Sequence, residues 1–193
     1  MSDTPPADTF GFSLPAWLAA EQAKDLVFAD ADERMRSVIA LAHRNIEEKT
    51  GGPFAAAIFD PASGRRLSVG VNLVPSEQCS VLHAEVVAIL LAQRRLGAWN
   101  LAEVGALELV TSCEPCAMCF GAIPWSGVRK VCCAASDQDA RDIGFDEGPK
   151  VADWAAALEA RGITVEQGRQ REAARGIFTT YAAQGGLIYN AGD

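Results

Sequence analysis

Two short motifs in this sequence supply residues that bind metals and transfer protons. The first is His83-Ala84-Glu85, and the second is Cys116-Ala117-Met118-Cys119. One imidazole and two thiolates suit zinc, and a set of three protein ligands leaves the fourth tetrahedral position open for water. The motifs therefore predict a catalytic site with one zinc ion per subunit, held by His83, Cys116 and Cys119.

The spacing of the two cysteines favours binding from the start of a helix. Cys116 and Cys119 are three residues apart, so both sulfurs point to the same side of one helical turn. The N-terminus of a helix also stabilises thiolates. His83 is predicted at the start of the preceding helix, and two such helix starts meeting at one edge of a sheet would close the site.

Glu85 follows His83 by two residues, where a carboxylate lies beside the metal without being needed as a ligand. Zinc lowers the pKa of a bound water from 15.7 toward ~7, so a neighbouring carboxylate can accept its proton. Glu85 would then protonate a ring nitrogen of the substrate, and the resulting intermediate would lose ammonia. The predicted chemistry is hydrolytic deamination, with Glu85 as the catalytic proton carrier.

Other interpretations of these residues remain open. A Cys-x-x-Cys pair alone is also typical of redox proteins, although the upstream His-x-Glu argues against that reading. A closed structural zinc site needs a fourth ligand, which Cys113 or Cys79 could supply. A non-catalytic zinc module is thus the alternative outside enzymes. Cys132, Cys133 and His43 are interpreted as packing or helix-surface residues.

The periodicity of apolar residues predicts the elements that position these motifs. Helices are expected over residues 31–49, 80–96, 116–125, 153–161 and 170–183, with Ser80 capping the second. Strands are expected over residues 54–60, 65–74, 106–112, 128–135 and 163–166. Because helices alternate with strands, the order indicates an α/β fold with a layered sheet.

The length and composition predict one domain. The chain has 193 residues, of which 49% are hydrophobic, which is enough for a single sizeable core. Residues 1–30 carry Phe10, Phe12 and Trp17 and are expected to form an N-terminal extension packed on the domain. Residues 31–193 form the zinc domain, and the segment from Gly185 to Asp193 is a tail that caps it.

The charge and the cysteine content indicate which classes of partner and which cellular compartment to expect. The formal net charge is -8 and no basic run exceeds two residues, so nucleic acid is not an expected partner. No segment is long and apolar enough to suggest a membrane partner, and the first residues lack the pattern of a secretory signal. The six cysteines are therefore expected to be free thiols in a reducing compartment, and the expected location is cytoplasmic.

The His-x-Glu and Pro-Cys-x-x-Cys motifs make the sequence resemble the cytidine deaminase-like superfamily of zinc hydrolases. Four further features resemble the bacterial guanine deaminases within it: the stretch 51–56, Asn72, the stretch 111–125, and Gly144-Phe145-Asp146-Glu147. The fold that this resemblance implies is a three-layer α/β/α sandwich with a five-stranded mixed sheet. The implied activity is hydrolysis of guanine to xanthine and ammonia, as a step of purine catabolism.

The resemblance also implies roles for individual residues. Glu147 would be a second catalytic acid that binds the substrate's amino edge and moves protons to the departing ammonia. The implied substrate contacts are Phe54, which would stack on the base, Asn72 on its purine edge, and Ala84, Trp125 and Tyr189 around the pocket. Members of the family are homodimers in which a C-terminal segment can swap over the partner's site, which makes Tyr189 a candidate lid residue.

Several substrates other than guanine share this chemistry. A tRNA adenosine deaminase carries both zinc motifs, but the charge of -8 and Glu147 disfavour an RNA substrate. Free cytosine or cytidine is a further alternative. Aminotriazines such as ammeline present an amino-carbonyl edge similar to the pyrimidine half of guanine, so they are candidate secondary substrates.

Overall fold

The computed structural model describes residues 11–190. Phe10, one of the aromatic residues expected to pack on the domain, lies outside the described residues, and so does the end of the predicted tail at 191–193. The elements in chain order are α1 (Ala16–Gln22), α2 (Ala31–Glu47), β1 (Ala55–Asp60), β2 (Arg65–Val71), α3 (Val74–Glu77), α4 (Ala84–Leu96), β3 (Glu108–Cys113), α5 (Ala117–Ser126), β4 (Lys130–Ala135), α6 (Asp137–Arg141), α7 (Trp154–Glu159), β5 (Thr164–Glu166) and α8 (Arg171–Ala183).

The strands form one five-stranded mixed sheet in the order β2-β1-β3-β4-β5. Strand β1 pairs antiparallel with both β2 and β3, whereas β3, β4 and β5 run parallel. Every residue of β3 is buried, as expected for a central strand covered on both faces. The five-stranded mixed sheet is therefore confirmed.

Helices cover both faces of the sheet and enclose two separate cores. Helices α1, α2 and α8 pack on one face, and α4, α5 and α7 on the other. Ile58 and Phe59 are adjacent in β1 and fully buried, yet they belong to opposite cores because successive side chains in a strand alternate between faces. The three-layer α/β/α sandwich is confirmed, and Cys132 and Cys133 are buried core residues as predicted.

The start of the chain covers the free edge of the sheet. Strand β2 has a neighbour on one side only, and the side chain of Gln22 satisfies part of its open edge. Gln22 Nε2 donates to the carbonyl of Leu67 at 3.2 Å, and Gln22 Oε1 accepts from the amide of Val69 at 2.8 Å. One amide side chain thus replaces the backbone of a sixth strand at this point.

A buried charge cluster lies where β3 and β4 begin. Glu108 is fully buried, and Arg34 Nε donates to its Oε2 at 2.9 Å. Lys130 Nζ lies 3.0 Å from the other carboxylate oxygen of Glu108 and 3.2 Å from Glu166. The cluster ties α2, β3, β4 and β5 together, and each carboxylate in it has a cationic partner.

Most predicted elements are found within a few residues of their expected bounds, but the prediction of a helix starting at Ser80 was wrong. Helix α4 begins at Ala84, with His83 as the N-cap residue and no side-chain cap. The amide of Leu82 donates to the carbonyl of Cys79, so a tight turn occupies the expected first helical turn. The buried side chain of Leu82 holds this turn against the core.

Three short helices were missed, and strand β2 ends at Val71 instead of continuing to residue 74. The missed helices are α1, α3 and α6. The sequence did contain a signal for α6, because Ser136 and Asp139 form a reciprocal capping box. Within residues 11–190, no helix combines the length and the apolar character that crossing a bilayer would require.

Candidate active site

The candidate site lies at one end of the sheet, where β2, β3 and β4 end and β1 begins. A helix begins at each motif at this end of the sheet: His83 is the N-cap residue of α4, and Cys116 is the N-cap residue of α5. Strands β3 and β4 are parallel, so their carboxyl ends deliver the Cys116 loop and the loop after α6 to the same edge.

The three predicted metal ligands come together in space. Cys116 Sγ is 3.4 Å and Cys119 Sγ 3.7 Å from His83 Nδ1, and all three ligand atoms lie within 4.8 Å of one another. A tetrahedral zinc with usual bond lengths places nitrogen and sulfur ligands about 3.6 Å apart. The donor set therefore fits zinc without rearrangement.

No fourth protein ligand joins this group in the described part of the chain. Cys113 instead directs its thiol to the carbonyl of Ser136 at 3.5 Å, and Cys79 is also outside the group. Three ligands with an open fourth position are the arrangement of catalytic zinc sites. The alternative of a closed structural zinc site therefore finds no support in these residues.

The ligands are electrostatically prepared for a cation. The hydrogen bond from Cys119 and the neighbouring His83 lower the pKa of Cys116 to about 4, even though burial opposes this. Burial lowers the pKa of His83, but the hydrogen bond and charge of Cys116 outweigh burial and raise it. The pKa of Cys119 is raised because its proton is shared with Cys116. The lowered pKa of Cys116 favours its thiolate form, which is the form that binds a metal ion.

Glu85 lies in the first turn of α4, beside the metal ligands. Its side chain is 7% exposed, and burial together with the negative charge of Cys116 raises its pKa to about 7. A carboxyl group with a pKa near the working pH can both accept and donate a proton.

Glu147 approaches the same space from the loop after α6. It is 6% exposed, and burial followed by the charges of Cys116 and Glu85 raises its pKa to about 8. The carbonyl of Glu147 accepts a hydrogen bond from the amide of Ala117 at 2.9 Å, which fixes its loop against the start of α5. Two acids from distant parts of the sequence therefore face one space.

That space is a cavity of about 370 Å³, large enough for a small organic molecule. The residues predicted to act on or contact a substrate that line it are Phe54, Asn72, Ala84, Glu85, Glu147 and Tyr189. His83 and Cys116 also line it, so the metal ligands open into the same cavity.

Trp125 is the predicted contact residue that the structure does not bring into the cavity. It lies near the end of α5 and is 79% exposed, because the one face of α5 that turns toward the site carries the cysteines. Trp125 is not among the residues that line the cavity, and its role as a substrate contact stays a prediction.

Asn72 is held in place by a buried network that begins in the N-terminal segment. Asn45 is fully buried, and its Nδ2 donates to the carbonyls of Gly52 at 2.8 Å and Asn72 at 3.0 Å. Thr50 Oγ1 donates to Asn45 Oδ1 at 2.7 Å and accepts from Trp17 Nε1 at 3.1 Å. This network determines the backbone position of Asn72 at the cavity wall.

The C-terminal tail passes over the cavity and is held to the loop of Glu147. Asn190 Oδ1 accepts from the amide of Asp146 at 2.9 Å, and Asn190 Nδ2 donates to the carbonyl of Gly144 at 3.0 Å. The hydroxyl of Tyr189 is buried and makes no hydrogen bond within the described chain. A Cβ atom on Gly52 would lie 2.1 Å from that hydroxyl, so only glycine leaves room for Tyr189.

The sequence prediction missed two residues that shape the site. Phe145 contacts the rings of Phe54 and Tyr189, with centroids 4.9 and 5.1 Å apart. The position of Phe145 in the Gly-Phe-Asp-Glu segment could have indicated this role. Asn190 gave no such signal, because its role depends on contacts between segments that are distant in sequence.

Comparison with known proteins places this geometry in a family. Residues 29–135 match the family described as the cytidine and deoxycytidylate deaminase zinc-binding region. The guanine deaminase of Bacillus subtilis (strain 168) is 39% identical over 113 residues, which cover 58% of this chain and 69% of that protein.

Two similar solved structures extend the likeness to nearly the whole chain. A guanine deaminase from Nitrosomonas europaea is 44% identical, with a TM-score of 0.89, and the match covers 93% of this chain and 100% of that one. A structure of NE0047 in complex with 2,6-diaminopurine is 47% identical, with a TM-score of 0.90 and coverage of 95% and 98%.

The family match spans more than half of the chain and contains all three metal ligands. The enzymes of this family use zinc to remove an amino group by hydrolysis, which is the chemistry that the ligand set with its open position and the adjacent buried acid can perform. This zinc-dependent hydrolytic deaminase therefore belongs to the cytidine and deoxycytidylate deaminase family.

Proposed function

We propose that this enzyme converts guanine and water to xanthine and ammonia. The observation that carries the proposal is the pair of buried acids on one cavity, Glu85 beside the metal ligands and Glu147 on the loop opposite. Guanine deamination requires protons at both a ring nitrogen and a leaving amino group, and one acid beside the metal reaches only one of them. The likeness to two guanine deaminases supports the same substrate.

Zinc, when held by His83, Cys116 and Cys119, supplies the positive charge that makes a water molecule acidic near neutral pH. Glu85 accepts a proton from the attacking water, whose oxygen forms a bond to the carbon bearing the amino group. Glu85 passes this proton to the adjacent ring nitrogen. Glu147 assists the transfer of the remaining hydroxyl proton from the added oxygen to the amino group, so that ammonia leaves as the carbon-nitrogen bond breaks and the carbonyl of xanthine forms.

The cavity wall offers contacts suited to a purine. The ring of Phe54 provides an apolar surface for stacking on a base. Asn72 Oδ1 accepts from the amide of Val74 at 3.2 Å, which orients the side-chain amide beside the cavity. Tyr189 lines the cavity with its hydroxyl packed beside Gly52, and we propose that it serves as a lid residue over the bound base.

A free base is favoured over an RNA loop on electrostatic grounds. The net charge of -8 would repel a phosphate backbone, and the tail covers part of the cavity that an extruded nucleotide would have to enter. We therefore propose a small-molecule nucleobase as the substrate and no nucleic-acid partner.

The test is an assay of ammonia release and absorbance change by the zinc-loaded protein. Guanine, adenine, cytosine, cytidine, ammeline and a tRNA anticodon stem-loop are compared at equal enzyme concentration. We expect guanine to have the highest kcat/KM. Deamination of the stem-loop without deamination of guanine would contradict the proposal. Inactivity with every compound would favour the alternative of a structural zinc module.

We also propose that the enzyme is a homodimer formed through the outer face of α4 and α5. Leu90 on α4 and Met118 and Trp125 on α5 are exposed, Met118 also lines the cavity, and Gly121 has open space beside it. Large exposed apolar side chains on one face are typical of subunit contacts. Trp125 would then lie in the dimer interface.

Sedimentation of the wild-type protein and the Trp125→Arg variant tests the dimer. We expect a dimer for the wild type and a monomer for the variant, whereas a monomeric wild type would contradict the proposal.

In the structure the C-terminal tail covers the cavity of its own chain, where Asn190 bonds to the loop of Glu147. Mixing Glu85→Gln chains with chains ended at Gly186 tests for a swap, because a swapped mixed dimer would recover activity in one of its two sites.

We place the reaction in purine catabolism in the cytoplasm. All six cysteines are free, and two of them are metal ligands that must stay reduced. Loss of zinc and activity under cytosol-like thiol concentrations would argue against this location.

A further inference from the structure

We propose that Lys150 is a positioning residue for the deamination reaction, holding the loop of Glu147 against the loop of Cys116. The inference rests on the proposed role of Glu147. Lys150 lies three residues after Glu147 and belongs to neither motif that supplies the metal ligands.

The ammonium group of Lys150 is enclosed and has fixed partners. Its side chain is 7% exposed, and Nζ donates to the carbonyl of Pro115 at 3.0 Å. Nζ also lies 3.0 Å from Asp137 Oδ1 and 5.0 Å from the centre of the Trp154 ring. A charge this buried is stable only where its partners are in place, so these contacts define one position for Lys150.

The bond to Pro115 is one of two hydrogen-bond ties between the loops, and Lys150 Nζ also lies 3.6 Å from Glu114 Oε2 on the Cys116 loop. Pro115 immediately precedes the ligand Cys116, and the second tie is the hydrogen bond from the amide of Ala117 to the carbonyl of Glu147 at 2.9 Å. Ala117 immediately follows Cys116. On the Cys116 loop the two ties therefore lie on either side of a metal ligand, and on the other loop they lie at and just after Glu147. Together they determine how Glu147 faces the metal site.

Asp137 also links Lys150 to a second cation, which lies at the C-terminal end of α6. Its Oδ2 accepts from Arg141 Nε at 2.6 Å, and Arg141 Nη2 donates to the carbonyl of Gly148 at 3.1 Å. Gly148 directly follows Glu147. Without the ammonium of Lys150, Arg141 and the bond from Ala117 to Glu147 would remain, but the bond to Pro115 beside the ligand Cys116 would be lost.

The structure offers a matched control in Lys130. Lys130 is also a lysine bound by two carboxylates, Glu108 and Glu166, but it lies where β4 begins, at the opposite end of the sheet. Replacing either lysine by methionine removes one charge and keeps most of the length of the side chain. Both variants lose contacts with two carboxylates, but only Lys150→Met also loses the bond to the carbonyl of Pro115 beside the site.

The experiment compares Lys150→Met, Lys150→Arg and Lys130→Met as zinc-loaded enzymes with guanine. A small displacement of a catalytic group lowers the rate more than the affinity, so we expect kcat of Lys150→Met to fall about 10- to 100-fold. We expect its KM to change less than about threefold and its zinc content to remain one per chain. Lys150→Arg should recover most of kcat, and Lys130→Met should lose thermal stability with kcat unchanged.

Wild-type kcat in Lys150→Met would overturn the inference, and so would an equal loss of kcat in Lys130→Met. If Lys150→Met does not fold, Asp137→Asn replaces it, with a smaller loss of kcat expected and wild-type kcat counting against the inference. Glu147→Gln separates the two proposals. Full activity in Glu147→Gln contradicts the proposed function, whereas an inactive Glu147→Gln beside an unimpaired Lys150→Met contradicts the role of Lys150 alone.

Discussion

Asp139 and Glu147 are buried to the same degree in neighbouring turns of the chain, at 5% and 6% exposure, yet their surroundings differ in charge. Arg171 Nε lies 2.7 Å and Arg175 Nε 3.0 Å from the carboxylate of Asp139. The hydrogen bond from Arg171, followed by those from the amide and hydroxyl of Ser136, holds the pKa of Asp139 well below its usual range. Glu147 faces the cavity, and burial raises its pKa to about 8.

The difference shows that partners, and not burial alone, decide what a buried carboxylate can do. Asp139 is fixed as an anion that fastens α8 to α6, as Glu108 fastens the opposite end of the sheet through Arg34 and Lys130. Glu85 and Glu147 have no cation bound to their carboxylates among the described residues, which leaves them able to gain and lose a proton near neutral pH.

Glu85→Gln should produce the largest effect, because it removes a proton carrier and keeps the size of the side chain. We expect kcat to fall about 10³-fold, within the range for loss of general acid-base catalysis. Metal analysis should still find one zinc per chain, since Glu85 is outside the ligand set. Turnover close to that of the wild type would remove Glu85 from the mechanism.

Glu147→Gln should lower kcat about 10²-fold, since one of two proton carriers remains. Stopped-flow absorbance with guanine measures the rate, and the zinc content again serves as a control. An increase of KM with unchanged kcat would contradict a role in proton transfer and would limit Glu147 to binding.

Asp139→Asn should affect stability and leave the reaction intact. The variant loses charged hydrogen bonds, but Arg171 and Arg175 are about half exposed and can be hydrated, so we expect a loss of about 1–2 kcal/mol. Urea unfolding measures the change, with Asp142→Asn on the exposed surface of the same turn as the control. An unchanged free energy of unfolding together with reduced kcat would show that Asp139 acts in the reaction and not in stability, which contradicts the contrast drawn with Glu147.

The pH dependence of stability should have opposite signs for the two kinds of acid in the zinc-free protein. The pKa of Glu147 is raised from 4.5 to about 8, so its contribution is fully present below pH 4.5 and is lost as the pH rises through 8. The pKa of Asp139 is lowered from 3.8, so its contribution is present above pH 3.8 and is lost on further acidification.

Tm measured from pH 3 to pH 9 on zinc-free wild type, Glu147→Gln and Asp139→Asn checks this expectation. Glu147→Gln should flatten the decline on the alkaline side, and Asp139→Asn should flatten the decline on the acid side. Identical curves for all three proteins would show that neither group is linked to folding in the expected direction.

The sequence allowed the metal ligands and the layered sheet to be predicted because both depend on local patterns. His83, Cys116 and Cys119 are recognisable by residue type and spacing, and the strands are short apolar runs between turns. Glu147 required the resemblance to a family, since a lone glutamate in a loop has no pattern of its own. Its burial appears only once the fold is complete.

Contacts between distant segments could not be predicted. The helix start at Ala84 depends on Leu82 packing in the core, and the exposure of Trp125 depends on which face of α5 turns toward the metal ligands. The passage of Tyr189 past Gly52 joins residues from opposite ends of the chain. Such positions are determined by packing, so residue type alone does not reveal them.

The amide side chain of Gln22 has a practical consequence for anyone shortening this protein. The family match begins at residue 29, and a chain begun there would retain every zinc ligand. It would also leave the amide of Val69 without its acceptor and the carbonyl of Leu67 with Arg95 as its remaining donor, on a strand at the edge of the sheet. Uncovered strand edges recruit other chains, so such a truncated enzyme would be prone to aggregate through a surface far from its catalytic centre.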